Sequence, residues 1–260
     1  MSEARQVTLA STSNAEDAAW LAVADVAAVA TDLGIDYRLI GGNSVALLVR
    51  VHDAATQVPD RATADADMGV SFEVCADPRL VPALNALGYD RQSGKPVHSH
   101  AGHAPARHRC PRPVIPRAPD AQPAARRPRR RREPGLLDAL RLPPILVALR
   151  AILTDATQVD VRVPLPDVRA ALVMKAHAYA GRLGDNDALD IWRLLHSAEN
   201  AGHTAADWPT GSTARDAAVL LHRHFGAPSS GGPRRATPNR TNQARIRALV
   251  AHVVPNPTRV

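Results

Sequence analysis

Apolar residues recur every three or four positions in several segments of the chain and form short unbroken runs in others. The first pattern is typical of helices that bury one face, and the second is typical of buried strands. The clearest helical segment is the Ala-rich stretch 16–33, which carries Trp20 on its apolar side and is followed by Gly34, a common residue just after a helix. The chain therefore begins with a predicted amphipathic helix.

The same patterns predict the remaining elements. Strands are expected over 36–40 and 66–74 and in a hairpin of 143–153 and 158–163 that turns at 154–157; helices are expected over 44–51, 78–87, 166–181, 186–201, 214–225 and 242–253. Together these elements predict an α+β protein, with a small mixed sheet, flanking helices and a mainly helical C-terminal part.

The pattern stops between residues 95 and 134. These 40 residues hold 9 of the 22 prolines, 4 of the 11 histidines and only three large apolar residues. They contain eleven Lys or Arg and two acidic residues, whereas the rest of the chain contains 21 and 23. The net charge of +7 therefore comes entirely from this stretch, which divides the chain into 1–94, 95–134, 135–225 and a linker with a last helix, 226–260.

Two interpretations of residues 95–134 remain open. The arginine run 126–132 suits a basic, disordered arm that binds nucleic acid. Alternatively, the stretch is an out-of-frame translation: with suitable codons, a shift of one base turns 108–115 into Ile-Asp-Val-Leu-Ala-Pro-Ser, which reads as a strand carrying an acid. On this second interpretation the chain lacks a core strand, and resequencing the gene across codons 90 to 136 tests it.

The most informative motif lies around the predicted strand 36–40. Gly41 and Gly42 close that strand, and Ser44 opens the next predicted helix; further on, Asp65 and Asp67 lie two positions apart. On a strand, two such carboxylates point to the same face, where they can share a Mg²⁺ ion. Glycines let a backbone approach a triphosphate closely, and amides at a helix start face its charge.

Arg61 and Thr63 precede these acids, and the whole arrangement resembles the nucleotidyltransferase superfamily, in particular the AbiEii-type and MenT-like toxins. The resemblance implies a nucleotidyltransferase-like fold, with Mg²⁺ on Asp65 and Asp67. It also implies that Gly41, Gly42, Ser44, Arg61 and Thr63 lie at the nucleotide. The 23 positions between Gly42 and Asp65 are more than is usual in that family.

A second block is similar to the C-terminal motif of the same family. It contains Lys175, then Arg182, then Asp187 and Asp190 on two predicted helices, with Asn186 where the family usually has Lys. The resemblance implies that Lys175 and Arg182 bind phosphates and that Asp187 is catalytic. The alternative is that the two acids merely cap and solvate a helix N-terminus, where acids are stabilising.

By resemblance, such a protein moves a nucleoside monophosphate from an NTP to an acceptor such as a tRNA 3′ end, and a cognate antitoxin holds it inactive. A third carboxylate commonly follows the Asp-x-Asp hairpin in this superfamily, and none is apparent here. The sequence therefore also permits a degenerate, non-catalytic protein that binds a nucleotide or a partner. An enzyme that modifies a small molecule, such as an aminoglycoside, is the remaining possibility.

Other features limit the cellular context. Cys75 and Cys110 form neither a metal-binding spacing nor a disulfide framework. No apolar run approaches 18 residues, and no signal-like N-terminal segment is apparent. We therefore expect a cytoplasmic protein that does not span a membrane.

Overall fold

The computed structural model describes residues 3–61, 63, 66–71, 74, 77–89 and 134–257. Asp65 and the stretch 95–133, for which an arm or an out-of-frame segment is predicted, lie outside the described residues. Five strands are described: β1 (Arg5–Ala10), β2 (Tyr37–Ile40), β3 (Asp67–Val70), β4 (Ile145–Ile152) and β5 (Gln158–Leu165).

The described helices are interspersed with these strands and make up the C-terminal part. They are α1 (Asn14–Leu33), α2 (Gly41–Val51), α3 (Leu80–Ala86), α4 (Leu136–Arg141), α5 (Val168–Arg182), α6 (Asp185–Asn200), α7 (Ser212–Leu221), α8 (Gly232–Ala236) and α9 (Arg240–Val253). A short 3₁₀ turn, Ala205–Asp207, precedes α7, and a π-helical turn, His222–Gly226, follows it. The protein is thus a mixed α+β fold, as the sequence predicts.

The strands form one mixed sheet of three and one antiparallel pair. β1 is parallel to β4, with Arg5 opposite Val147, and β4 is antiparallel to β5 in a hairpin. β2 and β3 are antiparallel, and Ile40, the last residue of β2, lies opposite Asp67, the first residue of β3. This register places the end of β2 and the start of α2 beside Asp67.

Helix ends follow ordinary capping rules. The Ser13 hydroxyl accepts a hydrogen bond from the Glu16 backbone N–H at the start of α1, and Gly34 ends that helix in the left-handed conformation, with φ of +67°. Asp167 caps α5 by accepting from the Arg169 backbone N–H at 2.8 Å. These local signals explain why α1 and α5 begin where they do.

The core lies between the three-stranded sheet and the helices, with α6 near its centre. One face of the sheet buries alternate residues such as Val7, Leu149 and Val163, against which α1 packs. α6 contacts α2, α5, α8 and α9, and most of its residues are buried. Because α6 is surrounded by helices, three of its charged residues, Asp187, Asp190 and Arg193, lie inside the protein.

Several elements differ from the sequence prediction. β1 was not predicted: it is a short N-terminal run whose partner, β4, is far away in the chain. The helix expected from residue 44 begins at Gly41, so both glycines lie in its first turn. The expected linker 226–239 contains α8, and α4 is an additional short helix before β4. Among the described residues, none of the helices has the length and hydropathy needed to cross a membrane.

Candidate active site

The turn from β2 into α2 closely approaches Asp67, the first residue of β3. Gly41 has φ of +75°, a left-handed conformation that favours glycine. A Cβ atom on Gly41 would overlap the Asp67 Oδ2 atom and lie 2.9 Å from its Cγ. Because Ile40 pairs with Asp67 across the two strands, this carboxylate lies directly against the backbone at the start of α2.

Gly42 makes a second close approach, to the segment before β3. A Cβ atom there would overlap the Thr63 hydroxyl and lie 2.9 Å from Arg61 Nη1. The Oγ atoms of Thr63 and Ser44 are both buried, and neither has a hydrogen-bond partner among the described residues. Four of the residues predicted around this motif therefore meet in space: Gly41, Gly42, Arg61 and Thr63 lie together, with Asp67 beside them.

A second group of predicted residues meets where α5 ends and α6 begins. Lys175 Nζ lies 2.7 Å from Asp190 Oδ2 and 3.5 Å from Asp187 Oδ1. Arg182 binds Asp187 with two parallel hydrogen bonds of 2.9 Å. Both carboxylates are buried, Asp190 completely. The residue before α6, Gly184, offers no side chain as a cap. Asp187 and Asp190 are paired with Lys175 and Arg182 and are therefore not merely solvated acids at a helix end.

Arg61 joins the two groups. Its Nη1 atom donates to both Asp190 oxygens, at 3.2 and 3.1 Å, although the two residues are 129 positions apart in the chain. The same guanidinium lies against Gly42. One side chain thus connects the glycine turn to the buried carboxylates of α6.

Three further members of the site, Arg193, Asp60 and Arg50, were missed by the sequence analysis. Arg193 is completely buried, with Nη1 3.7 Å from Asp190 Oδ1 and Nη2 3.1 Å from Asp60 Oδ1. Asp60 also accepts a hydrogen bond from Arg50 of α2 at 2.9 Å. The sequence did contain a signal for Arg193: it is a charged residue three positions after Asp190, among the apolar residues of the predicted helix.

The electrostatics agree with this packing. Burial lowers the pKa of Arg193, and the nearby Asp190 and Asp60 carboxylates oppose that effect. Burial would raise the pKa of Asp60, but the hydrogen bonds from the Arg50 side chain and the Arg61 backbone outweigh it, so the pKa is lowered. The pKa values of Arg193 and Asp60 therefore both depend on the charged side chains around them.

We call these eight residues the ion-pair network: Arg50, Asp60, Arg61, Lys175, Arg182, Asp187, Asp190 and Arg193. It contains five cations and three carboxylates, so it carries two positive charges in excess. Such an excess beside a glycine turn can attract and hold an anionic group such as a phosphate.

A divalent cation is implied by the two predicted metal ligands. Within the described part of the chain, no group of three or more His, Cys, Asp or Glu side chains is arranged to hold a metal ion. Asp67 is described, and the glycine at position 41 leaves its carboxylate the space that a Cβ atom would fill. Asp65, the other predicted ligand, lies outside the described residues. The carboxylate of Asp67 is the type of oxygen donor that Mg²⁺ prefers, so the chemistry of this residue fits the ion.

Comparison with known proteins does not extend these observations. No protein-family model matches the chain, and no match was found among curated proteins or among solved structures.

Proposed function

We propose that this chain is a Mg²⁺-dependent nucleotidyltransferase of the toxin-antitoxin type. The observation that carries the proposal is the position of Arg61, which touches Gly42 of the glycine turn and binds Asp190 of α6. This contact brings together the two motifs that resemble the family, although they are far apart in the sequence. Asp67 lies at the same turn.

Each residue has a role in this proposal. Gly41 and Gly42 let the backbone approach the triphosphate, and amides in the first turn of α2 face its charge. Asp67, with Asp65, would hold Mg²⁺, which supplies charge neutralisation at the phosphates when bound.

Lys175, Arg61 and Arg182 would neutralise phosphate charge, and each would exchange a carboxylate partner for a phosphate oxygen. Asp187 would hold Lys175 and Arg182 in place, and Ser44 and Thr63 would line the nucleotide.

The reaction is an in-line displacement at the α-phosphorus of an NTP. The acceptor hydroxyl oxygen forms a bond to that phosphorus, the bond to the bridging oxygen breaks, and pyrophosphate leaves with the negative charge. The hydroxyl proton passes to solvent. In this proposal the cations of the network stabilise the charge that develops on the departing pyrophosphate.

A tRNA 3′ end is the acceptor that the resemblance favours, and a cognate antitoxin is the partner. A small molecule such as an aminoglycoside is the alternative acceptor. Total tRNA and an aminoglycoside mixture can be offered in parallel, so the labelled product identifies the acceptor class.

The test is label transfer from each α-³²P-labelled NTP in the presence of Mg²⁺ and total tRNA. We expect transfer that is lost in the double variant Asp65→Ala/Asp67→Ala and retained in Asp160→Asn. Asp160 is a suitable control because it is an exposed carboxylate on β5 that pairs with Arg150 and belongs to neither predicted motif. Transfer that survives the double variant would contradict the proposed roles. Transfer only by a version with the reading frame restored across codons 90 to 136 would identify this chain as an inactive copy.

A non-catalytic protein is the second candidate, and a specific observation favours it. Arg61 and Lys175 already have a carboxylate partner in Asp190, which is completely buried. The network is therefore also suited to hold α6 against the β3 segment without turnover. Binding of an NTP, measured by calorimetry, with no transfer to any acceptor from either reading frame would support this second candidate.

A further inference from the structure

Arg193 differs from the other cations of the ion-pair network because it is completely buried. Its Nη2 atom lies 3.1 Å from Asp60 Oδ1, whereas Nη1 lies 3.7 Å from Asp190 Oδ1, beyond hydrogen-bond distance. Among the described residues, neither Nη1 nor Nε has a hydrogen-bond partner. Buried donors are normally paired, so Arg193 has unused hydrogen-bonding capacity beside the Asp190 carboxylate.

A closed ring of polar contacts joins Arg193 to Arg61. The Arg61 backbone N–H donates to Asp60 Oδ1 at 2.9 Å, and the same oxygen accepts from Arg193 Nη2. On the other side of the ring, Arg61 Nη1 donates to both oxygens of Asp190, which lies next to Arg193 Nη1. Asp60 therefore anchors one end of the Arg193 guanidinium, while the end with unused donors lies beside Asp190.

The binding of phosphates would create an electrostatic problem at Asp190. This carboxylate is completely buried, and the cations closest to it are Lys175, with Nζ 2.7 Å from Oδ2, and Arg61. In the proposed function, both cations exchange this carboxylate for phosphate oxygens. A buried carboxylate without a cation is strongly unfavourable, and such a group takes up a proton instead. Asp190 therefore stays ionised during binding only if a third cation remains beside it.

The other charged or titratable side chains around α6 have different partners. Arg182 of α5 binds Asp187, which also lies 3.5 Å from Lys175. The remaining contacts to α6 or its neighbours are those of Arg50 with Asp60, Arg235 with Asp185, Arg245 with Glu199, and His196 with Gln57. Within the part of the chain that the structure describes, Arg193 is thus the cation that remains for Asp190.

We propose that Arg193 is a positioning residue that stays paired with Asp190 while Arg61 and Lys175 bind the phosphates of a nucleotide. Its complete burial keeps it away from the ligand, and Asp60 holds it in place. Arg193 thereby keeps Asp190 ionised, so Arg61 and Lys175 can return to this carboxylate when the ligand leaves. The inference rests on the proposed function for its ligand, but it concerns binding and not transfer.

The test counts the protons that the full chain takes up when it binds tripolyphosphate without Mg²⁺. Isothermal titration calorimetry in several buffers of one pH and different ionisation enthalpies gives this number together with the dissociation constant. The variants Arg193→Met and Arg193→Lys are compared with the unchanged protein. Arg245→Met is the matched control, because it removes a 46% exposed arginine from an ion pair with another acid of α6, Glu199. Protons bound by the probe itself are the same for every variant and cancel in the comparison.

We expect Arg193→Met to take up about one proton more per bound tripolyphosphate than the unchanged protein, because Asp190 has lost its remaining cation. Its affinity should be weaker at neutral pH and should rise about tenfold for each unit by which the pH falls. Arg193→Lys, which keeps a cation, and Arg245→Met should take up the same number of protons as the unchanged protein. The extra proton should disappear in Arg193→Met/Asp190→Asn. A merely structural role would weaken binding without changing the proton number.

Several results would overturn the proposal. They are an equal proton number in Arg193→Met and the unchanged protein, an extra proton that persists in Arg245→Met or in the double variant, and a failure of the unchanged protein to bind tripolyphosphate. If circular dichroism shows that Arg193→Met does not fold, the unchanged protein and Asp190→Asn decide the matter. Equal proton numbers are expected for these two, and an extra proton in the unchanged protein would show that a proton neutralises Asp190 and that Arg193 does not.

Label transfer separates this inference from the proposed reaction. If transfer is observed but Arg193→Met takes up no extra proton, the reaction stands and the role of Arg193 does not. If the extra proton is found but no NTP and acceptor give transfer, Arg193 supports a phosphate-binding site and the proposed reaction fails.

Discussion

Two Arg–Asp pairs in this molecule have similar nitrogen-to-oxygen distances and opposite surroundings. On the outer face of the three-stranded sheet, Arg150 Nε lies 2.8 Å from Asp160, and the side chains are 55% and 61% exposed. In the ion-pair network, Arg61 lies 3.1 Å from Asp190, and the side chains are 19% and 0% exposed. The first pair joins neighbouring strands, whereas the second joins segments 129 positions apart.

The difference in burial between the two pairs indicates how each contributes to stability and function. Water and salt compete with an exposed pair, so it contributes little to folding. A buried pair must be desolvated, and a well-packed apolar replacement is often as stable or more so. A network of eight charged residues around α6 is therefore poorly explained by stability alone, and a function that needs charge at this place explains it better.

The largest effect should come from removing the carboxylate at the centre of the network. Asp190→Ala leaves Arg193 completely buried with no close negative partner on α6, and it leaves Lys175 and Arg61 without their strongest ion pair. Removing one partner of a buried ion pair typically costs about 3–5 kcal/mol. We expect a loss of that order in the free energy of unfolding, measured by urea denaturation.

Two further variants keep this prediction decisive. Asp190→Asn preserves the shape and should lose less stability than Asp190→Ala. Asp185→Ala removes an acid from the same helix that is 72% exposed and should have a far smaller effect. If Asp190→Ala and Asp185→Ala are equally stable, the contrast between buried and exposed charge in this molecule is wrong.

A smaller effect is expected at the glycine turn. Gly41 and Gly88 both have positive φ, +75° and +87°, so an alanine at either position costs about 1 kcal/mol in backbone strain. Only at Gly41 does the new Cβ atom overlap a neighbour, the Asp67 carboxylate; at Gly88 it meets open space. Overpacking adds about 1–3 kcal/mol, so Gly41→Ala should be the less stable variant in urea denaturation. Equal stability of the two variants would mean that Asp67 moves aside freely.

The sequence predicted the hairpin of β4 and β5, which carries the exposed Arg150–Asp160 pair, but it did not predict β1, the third strand of the same sheet. β4 and β5 have strong local patterns with a turn between them, and the hairpin is observed over Ile145–Ile152 and Gln158–Leu165. β1 could not be predicted in the same way, because a run of six residues gives a weak signal and its partner lies about 140 residues further along the chain. Parallel pairing of this kind depends on the whole fold.

The candidate site was likewise predictable only in part. Gly41, Asp67, Lys175 and Asp187 follow from short motifs, but Asp60 and Arg193 do not belong to any. Arg193 Nη2 binds Asp60, 133 positions away in the segment between α2 and β3. A sequence pattern does not show which distant charges meet. The ion-pair network can therefore be identified only from the structure, in which α6 packs against α2 and α5.

The smallest effect should come from the exposed pair. Arg150 holds the pKa of the Asp160 carboxyl below its usual range by a side-chain hydrogen bond. Stability from a lowered carboxyl pKa is present at neutral pH and lost as the pH falls through the folded-state value. We expect Arg150→Ala, Asp160→Ala and the double variant to have nearly the same thermal midpoint as the unchanged protein at pH 7, with no coupling between the two changes beyond error. Clear coupling that persists in 1 M salt would show that this face is covered by something that excludes water, and the outer sheet face would then resemble the buried network more than its exposure indicates.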